Sequence, residues 1–297
     1  MSDDPLSGAA PGPQPTAYAL VPITCSHRQR SRAMIQSAAE AVEPGRAAVL
    51  GAGGCDEIPL VELVRRFGEV VLNDIDEQPL RQSVEALDLD PADRAKIEFQ
   101  VADLSGLTCT LLERIEGAVS ASSDAPSAVA AAAASLDPLP AAALPVAGPF
   151  DLVVVSCVLS QLHFRLAHEA SAAVDARFAG GGELLHESDG WKQALYRTAR
   201  QIEERFVAGL ESLVRPHGRI YLSESVQMCF VQQTADGNWQ TPGIYRMLRT
   251  TDLADYVPQF TIVDRQRWEW IVDTPRKPGD TGRMYDVQAL VLAPRND

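Results

Sequence analysis

Residues 47–66 read Ala47-Ala48-Val49-Leu50-Gly51-Ala52-Gly53-Gly54-Cys55-Asp56-Glu57-Ile58-Pro59-Leu60-Val61-Glu62-Leu63-Val64-Arg65-Arg66, and the fold turns on how this stretch divides. The run Ala47-Ala48-Val49-Leu50 is short, unbroken and apolar, which suits a strand buried on both faces, and it stops at glycines. From Ile58 onward the apolar residues take helical spacing. The unit therefore reads strand, glycine turn, helix. Glycine puts no Cβ in a ligand's way and the start of a helix offers free amide donors, so the turn admits close approach.

The same alternation continues outward. A strand at 69–73 ends in the acidic turn Asp74-Ile75-Asp76-Glu77, PLRQSVEAL follows as a helix, and a strand at 96–102 ends at Asp103. Upstream, Ser26-His27-Arg28-Gln29 has the S-x-x-Q form of a capping box and opens a helix that stops before Pro44-Gly45. Downstream come the apolar strand Phe150-Asp151-Leu152-Val153-Val154-Val155, helices over 161–178 and 191–214 around a loop at 179–190, and a strand at 219–225. A turn at 234–243 and a helix over 245–257 precede a closing β-hairpin of 260–272 and 285–292. Strands alternating with helices in this way predict a parallel sheet covered on both faces. Residues 1–16 are expected to form a flexible tail and 17–297 one domain, with the Ala-, Ser- and Pro-rich stretch 117–149 inserted on a loop, either as a short Ala-rich helix or as a loose segment.

Composition narrows the function classes. The chain has 297 residues, 46% hydrophobic and 22% charged, and 26 Lys plus Arg against 40 Asp plus Glu give a net charge of −14. That is globular composition with an acidic surplus, which makes nucleic acid an unlikely main partner. No apolar run reaches the roughly 18 to 20 residues of a membrane span, and MSDDPLSGAAPGPQP lacks a positive n-region, so a cytoplasmic protein without membrane contact is expected. Five cysteines, odd in number and without a C-x-x-C pair, argue against a disulfide framework and a structural zinc site; no metal is expected.

About twenty residues after the glycine turn, Asp74 ends the second strand where a carboxylate can accept both hydroxyls of a ribose. A dinucleotide site wants G-x-G-x-x-G, and Asp56 stands at its third position, where it would repel a pyrophosphate. S-adenosylmethionine (SAM) has no phosphate and carries a sulfonium cation, so the acid favours SAM over NAD. Here VLGAGG, VVLNDID, IEFQVADL and FDLVVVSCVLSQL resemble motifs of the class I SAM-dependent methyltransferases, and the closing hairpin resembles that family's antiparallel last strand. The resemblance covers 47–292 and implies a doubly wound α/β fold: a mostly parallel seven-stranded sheet with an antiparallel C-terminal hairpin strand and helices on both faces. It implies methyl transfer from SAM to O or N of a small molecule or a protein side chain. The cofactor-binding residues it implies are Gly51, Gly53, Asp74, Ile75, Asp103, Leu104 and Ser156. Gly51 and Gly53 would approach the methionine part, Asp74 the ribose, Asp103 the adenine amino group with Leu104 beside it, and Ser156 would lie near the methionine end.

The sequence departs from that pattern in two places. Family members often carry an acid two residues before the first glycine, where this chain has Val49, and the third glycine is Cys55; Asp56 or Glu57 offers a replacement carboxylate. His163, just past the fourth strand, is the candidate general base, with a packed or solvent-facing histidine as the alternative. His186, Glu187 and Asp189 are candidates for a lid over the pocket, or else a solvated acidic loop, and Glu224 ends the fifth strand. Arg28, Arg30 and Arg32 read as a solvated face or as a site for an anionic substrate group. Trp191, Trp239, Trp268 and Trp270 are candidates for the wall of an aromatic pocket, with core packing as the favoured reading for Trp268 and Trp270, which share one face of a strand. Two other functions remain open: an NAD(P)-dependent oxidoreductase, and a catalytically silent SAM-binding or scaffold protein.

Overall fold

The computed structural model describes residues 27–236, 239–240, 245–247, 252–272 and 280–295. The expected tail, Ser26 of the expected capping box, part of the 234–243 turn and the 273–279 end of the hairpin lie outside the described residues. In chain order, α1 (His27–Glu40) leads to β1 (Arg46–Leu50), α2 (Leu60–Arg66), β2 (Glu69–Asp74), α3 (Glu77–Glu85), the short α4 (Pro91–Arg94) and β3 (Ile97–Val101). Then α5 (Thr108–Ser120) and α6 (Ala125–Ala134) precede β4 (Phe150–Ser156), and α7 (Phe164–Arg177), α8 (Gly181–Glu187) and α9 (Asp189–Leu213) precede β5 (Val214–Gln233). The short strands β6 (Trp239–Gln240) and β7 (Tyr245–Met247) and the hairpin β8 (Phe260–Ile271) and β9 (Thr281–Pro294) follow.

The strands line up as β3-β2-β1-β4-β5-β9-β8. The first five are parallel, and β9 runs antiparallel to both β5 and β8. This is the seven-strand doubly wound architecture that the resemblance implied, with β6 and β7 added where they pair on β5. Side chains in a strand alternate between faces, and here both faces are buried. Val49, Leu72 and Val154 point to the side covered by α1, α2 and α3, while Leu50, Val71 and Val155 point to the side covered by α5 through α9. One charge interrupts the apolar β4: the Asp151 carboxylate accepts the Arg46 N–H at 2.7 Å and sits 3.5 Å from Arg215, joining the start of β1 to β5. Among the described residues no helix is long and apolar enough to cross a membrane.

Two stretches differ from the sequence reading, and in a third the structure chooses between the Ala-rich helix and the loose loop that composition left open. Within 117–149, α6 is an ordered helix capped by Asp124 and Ser127, and it buries Ala128, Val129 and Ala132 in the core; small side chains let it pack closely. Within 179–190, α8 replaces the expected loop. Its glycines serve close packing, because a methyl on Gly181 would crowd Val174 and one on Gly182 would crowd Asp175, which accepts the Gly182 N–H at 2.8 Å. In place of a helix over 245–257, Tyr245–Met247 pairs with β5, and Asp252 accepts the Ala254 N–H at 2.9 Å to start a separate 3₁₀ turn, Leu253–Tyr256. An Asp that caps a helix begins one and does not continue it.

Two alanine substitutions report on this packing. A methyl on Gly148 would lie 2.9 Å from both the Cα and the O of Leu213 at the end of α9. That is backbone that cannot rotate away, so Gly148→Ala is expected to cost about 1–3 kcal/mol. Gly117 in α5 has open space around it, so Gly117→Ala should gain about 0.5–1 kcal/mol. Urea denaturation midpoints should move in opposite directions.

Candidate functional site

The chain leaves β1 toward β2 and β3 but leaves β4 toward β5, so the loops after these two neighbouring strands part. In open α/β sheets such a reversal leaves a crevice beyond the strands' carboxyl ends. A cleft of about 690 Å³ opens there, within the range of about 300–1,000 Å³ typical of small-molecule sites. Its floor comes from residues 51–57 after β1, Asp74 and Ile75 after β2, residues 102–104 after β3, residues 156–158 after β4, and Glu224 and Ser225 of β5.

The glycine turn has two jobs. Gly51 has φ +67°, and a methyl there would overlap the side chain of Val158 in the loop after β4, so Gly51 lets the two loops pack. Gly53 has φ +48° and nothing within 4 Å of where its Cβ would be, so it leaves the cleft open. The position where the family's third glycine would fall, Cys55, takes a glycine-like φ of +53°, and Cys157 after β4 takes +52°. Both thiols are buried. Burial, helped by the negative charges of Asp74, Glu57 and Asp56, pushes Cys55 up to about 12, and burial beside Glu224 and Glu57 raises Cys157 well above the ordinary thiol value.

The acids at the strand ends are held by backbone donors. Gly53 N–H donates to Asp74 Oδ2 at 2.8 Å and Asp76 N–H to Asp74 Oδ1 at 3.1 Å, which turns this carboxylate toward the glycine turn. Asp103 accepts Ser105 N–H at 2.9 Å, Ser105 O–H at 2.7 Å and Thr108 N–H at 3.0 Å, the last from the start of α5, where a negative charge is favoured. Glu224, wholly buried, accepts Ser160 N–H at 3.0 Å, Ser160 O–H at 2.9 Å and Ser225 N–H at 2.9 Å.

The two candidate replacement carboxylates separate. Asp56 is exposed, 2.9 Å from Arg28, and Arg32 donates to its carbonyl at 3.0 Å, so the arginine run on α1 grips the glycine loop. With Arg28 offsetting it and α2 starting only at Leu60, Asp56 does not face the helix N-terminus in the way the argument against a pyrophosphate assumed. Glu57 is half-buried beside His27 and Ser156. Burial would raise its carboxyl, yet the adjacent His27, Ser156 and Arg28 together hold it below the usual carboxylate range.

His27, Glu57 and Cys157 come close enough for a metal cluster by residue type. Their chemistry opposes one. Trp268 Nε1–H donates to His27 Nδ1 at 3.0 Å, so a neutral imidazole keeps its proton on Nε2, the atom facing Glu57, and has no lone pair there to offer a metal.

Gly51, Gly53, Asp74, Ile75, Asp103, Leu104 and Ser156 all line the cleft, and so does Glu224. His163 does not. It sits at the start of α7 with its ring edge-on to Phe164 at 5.0 Å, and it is Phe164, 57% exposed, that faces the cleft. His186, Glu187 and Asp189 belong to α8 and α9, beside α6 and not over the cleft. Trp270, which the sequence offered both as a pocket wall and as core, lines the cleft with Phe164, Arg165, Val272, Arg283 and Tyr285, five residues that the sequence reading missed. The alternation Trp268, Trp270, Val272 was the available signal; Trp268 is core and the other two reach the cleft.

Fold and cleft together define the class: a doubly wound α/β protein with an antiparallel closing hairpin and a cleft at the switch point. No family model and no curated protein matches the chain. Solved structures do. The chain is similar to TehB from Haemophilus influenzae at 10% identity and a TM-score of 0.45, covering 89% of this chain and 62% of that one. It is similar to the N-methyltransferase NodS from Bradyrhizobium japonicum WM9, solved in complex with S-adenosyl-L-homocysteine, at 10% identity and 0.40 over 92% and 91%. TrmN from Thermus thermophilus matches at 15% identity and 0.40, over 90% of this chain and 49% of that one. The chain thus spans less than two thirds of TehB and about half of TrmN.

Gly51→Ala should destabilise the protein by more than about 2 kcal/mol, from overlap with Val158 together with about 1–2 kcal/mol of left-handed strain. Adding Val158→Ala should restore part of that loss in equilibrium unfolding; no recovery would refute the packing role of Gly51. Among the described cysteines, Cys109 is exposed and Cys55 and Cys157 are buried. Iodoacetamide at pH 8 should therefore alkylate Cys109 first, with Cys55 and Cys157 reacting only in denaturant, as read by peptide mass spectrometry.

Proposed function

We propose that the protein is a SAM-dependent methyltransferase that acts on O or N of a small molecule or a protein side chain, as one domain over 17–297 with 117–149 inserted, in the cytoplasm. The observation that carries this reading is the charge of the cleft. Its lining holds five carboxylates, Asp56, Glu57, Asp74, Asp103 and Glu224, against two guanidinium groups, Arg165 and Arg283. With Asp56 offset by Arg28, four remain. Such a lining attracts a cationic ligand and repels a pyrophosphate, which disfavours the oxidoreductase reading.

The residues present fit SAM. Ile75 and Val272 are large apolar side chains left 39% and 38% exposed at the cleft, which suits contact with a bound ligand. The open space at Gly53 admits a ligand against the backbone. Bound there, SAM would supply a methyl group on a positively charged sulfur, already activated for transfer. In this reading Asp74 accepts the ribose hydroxyls on lone pairs left over from Gly53 and Asp76, Ile75 covers the base, Asp103 and Leu104 meet the adenine edge, and Gly51, Gly53 and Ser156 lie along the methionine part. Phe164, Trp270 and Tyr285 orient the acceptor and exclude water. Cys55, Cys157 and Tyr221 are held protonated by burial and take no proton at neutral pH. With His163 off the lining, an acceptor that arrives with a free lone pair suits the cleft best.

Isothermal titration should show saturable binding of SAM and of S-adenosylhomocysteine and none of NADH. Asp74→Ala should weaken both adenosyl ligands together by about 10- to 100-fold, the loss of hydrogen bonds to a charged group. Unchanged affinity in that variant would move the site elsewhere.

A further inference from the structure

Val49, two residues before Gly51, is 1% exposed and packs in the core, so β1 supplies no carboxylate to the cleft. Glu57 does so from the far end of the same turn. Its neighbours come from across the chain: Ser156 at the end of β4, and His27 at the start of α1, whose Nε2 lies 3.5 Å from Glu57 Oε2. That distance is longer than a formed hydrogen bond, and among the described residues His27 Nε2, on a residue 3% exposed, has no other hydrogen-bond partner.

The imidazole itself is fixed on two sides. Trp268 Nε1–H donates to Nδ1 at 3.0 Å, which sets the tautomer, and the ring stacks on Trp270 with centroids 4.1 Å apart and planes 14° from parallel. Trp270 in turn packs against Tyr285, 5.8 Å between centroids, and both line the cleft. The hairpin thus holds the histidine, and the histidine faces the carboxylate. A charged carboxylate half out of water calls for a cation, and the ribose-binding candidate Asp74 is held at Gly53, earlier in the same turn.

We propose that Glu57 is the subsite for a primary ammonium group at the end of the ligand opposite the ribose, and that His27 is a positioning residue that aims it. This rests on reading the cleft as a SAM site; it adds which residue takes the amino-acid end and what holds that residue.

The test compares S-adenosylhomocysteine, which carries the ammonium, with 5′-methylthioadenosine, which keeps the nucleoside and sulfur and lacks the amino acid. Wild-type protein should bind both in isothermal titration. Glu57→Gln should weaken S-adenosylhomocysteine about tenfold and leave 5′-methylthioadenosine unchanged. His27→Phe, which keeps the stack on Trp270 and loses Nε2, should weaken only S-adenosylhomocysteine, and His27→Gln, which restores a donor near the Nε2 position, should recover it. Equal effects on the two ligands in Glu57→Gln, or no effect on either, would overturn the proposal, and so would wild-type protein that binds 5′-methylthioadenosine but not S-adenosylhomocysteine. Wild-type protein that binds neither would overturn the SAM reading itself, and this proposal with it. If His27→Phe does not fold, Glu57→Gln alone decides.

Discussion

The contact between Gly51 and Val158 is the constraint on which the cleft depends. β1 and β4 are hydrogen-bonded neighbours to Leu50 and Val155, and beyond that point their loops must diverge to opposite sides of the sheet. They can do so in the space available only because the first residue after β1 has no side chain. The sharp exits put Gly51, Gly53, Cys55 and Cys157 all at positive φ. For the two cysteines that conformation costs about 1–2 kcal/mol each. Strain of this kind persists where the surrounding packing over-determines it, and here the packing is the adjoining pair of strands with helices on both faces.

What was legible in the sequence follows from how local its causes are. β1, β2 and β4 announced themselves because a strand buried on both faces is largely apolar, the edge strand β3 by the alternation of Ile97, Phe99 and Val101, and their ends were marked by Gly51, Asp74, Asp103 and Ser156, which line one cleft. The α8 helix was hidden because Gly180, Gly181 and Gly182 read as a loop, whereas two of them are glycine so that α8 can press on α7. His27 and Trp268 lie 241 residues apart, and no periodicity in either segment points to the other. His163 and Phe164 show the finer limit. A position just past a strand end brings a residue near the cleft, but the turn that starts α7 decides which of two neighbours faces it.

The negative charge of the cleft does not depend on Asp56. That residue, in the place of a dinucleotide-binding glycine, is exposed and paired with Arg28. The carboxylates that matter are Glu57, Asp74, Asp103 and Glu224, each held by donors from loops or helix starts that the fold supplies anyway. Negative charge in the cleft is therefore a property of the architecture at several strand ends, and no single substitution removes it. The arginines on α1 serve the same end by fastening the glycine loop from outside.

The wall opposite those acids exists because β5 outlasts its parallel neighbour. β4 pairs with β5 as far as Ser156 with Ser223; past that point β5 has no β4 partner and pairs with β9, and also with β7 and β6. A register shift between Ser225 and Gln227 lies at this departure, next to the buried Glu224. Bulges increase local twist and re-aim a strand, and they are common beside active sites. Here the re-aimed ribbon carries Arg283 and Tyr285 on β9, with Trp270 on β8 and Val272 just beyond it, to the cleft. One side of the cleft is thus built from the ends of a parallel sheet, and the opposite wall from an antiparallel extension. That division explains why the motifs cluster at β1 to β4 and why the opposite wall carries none.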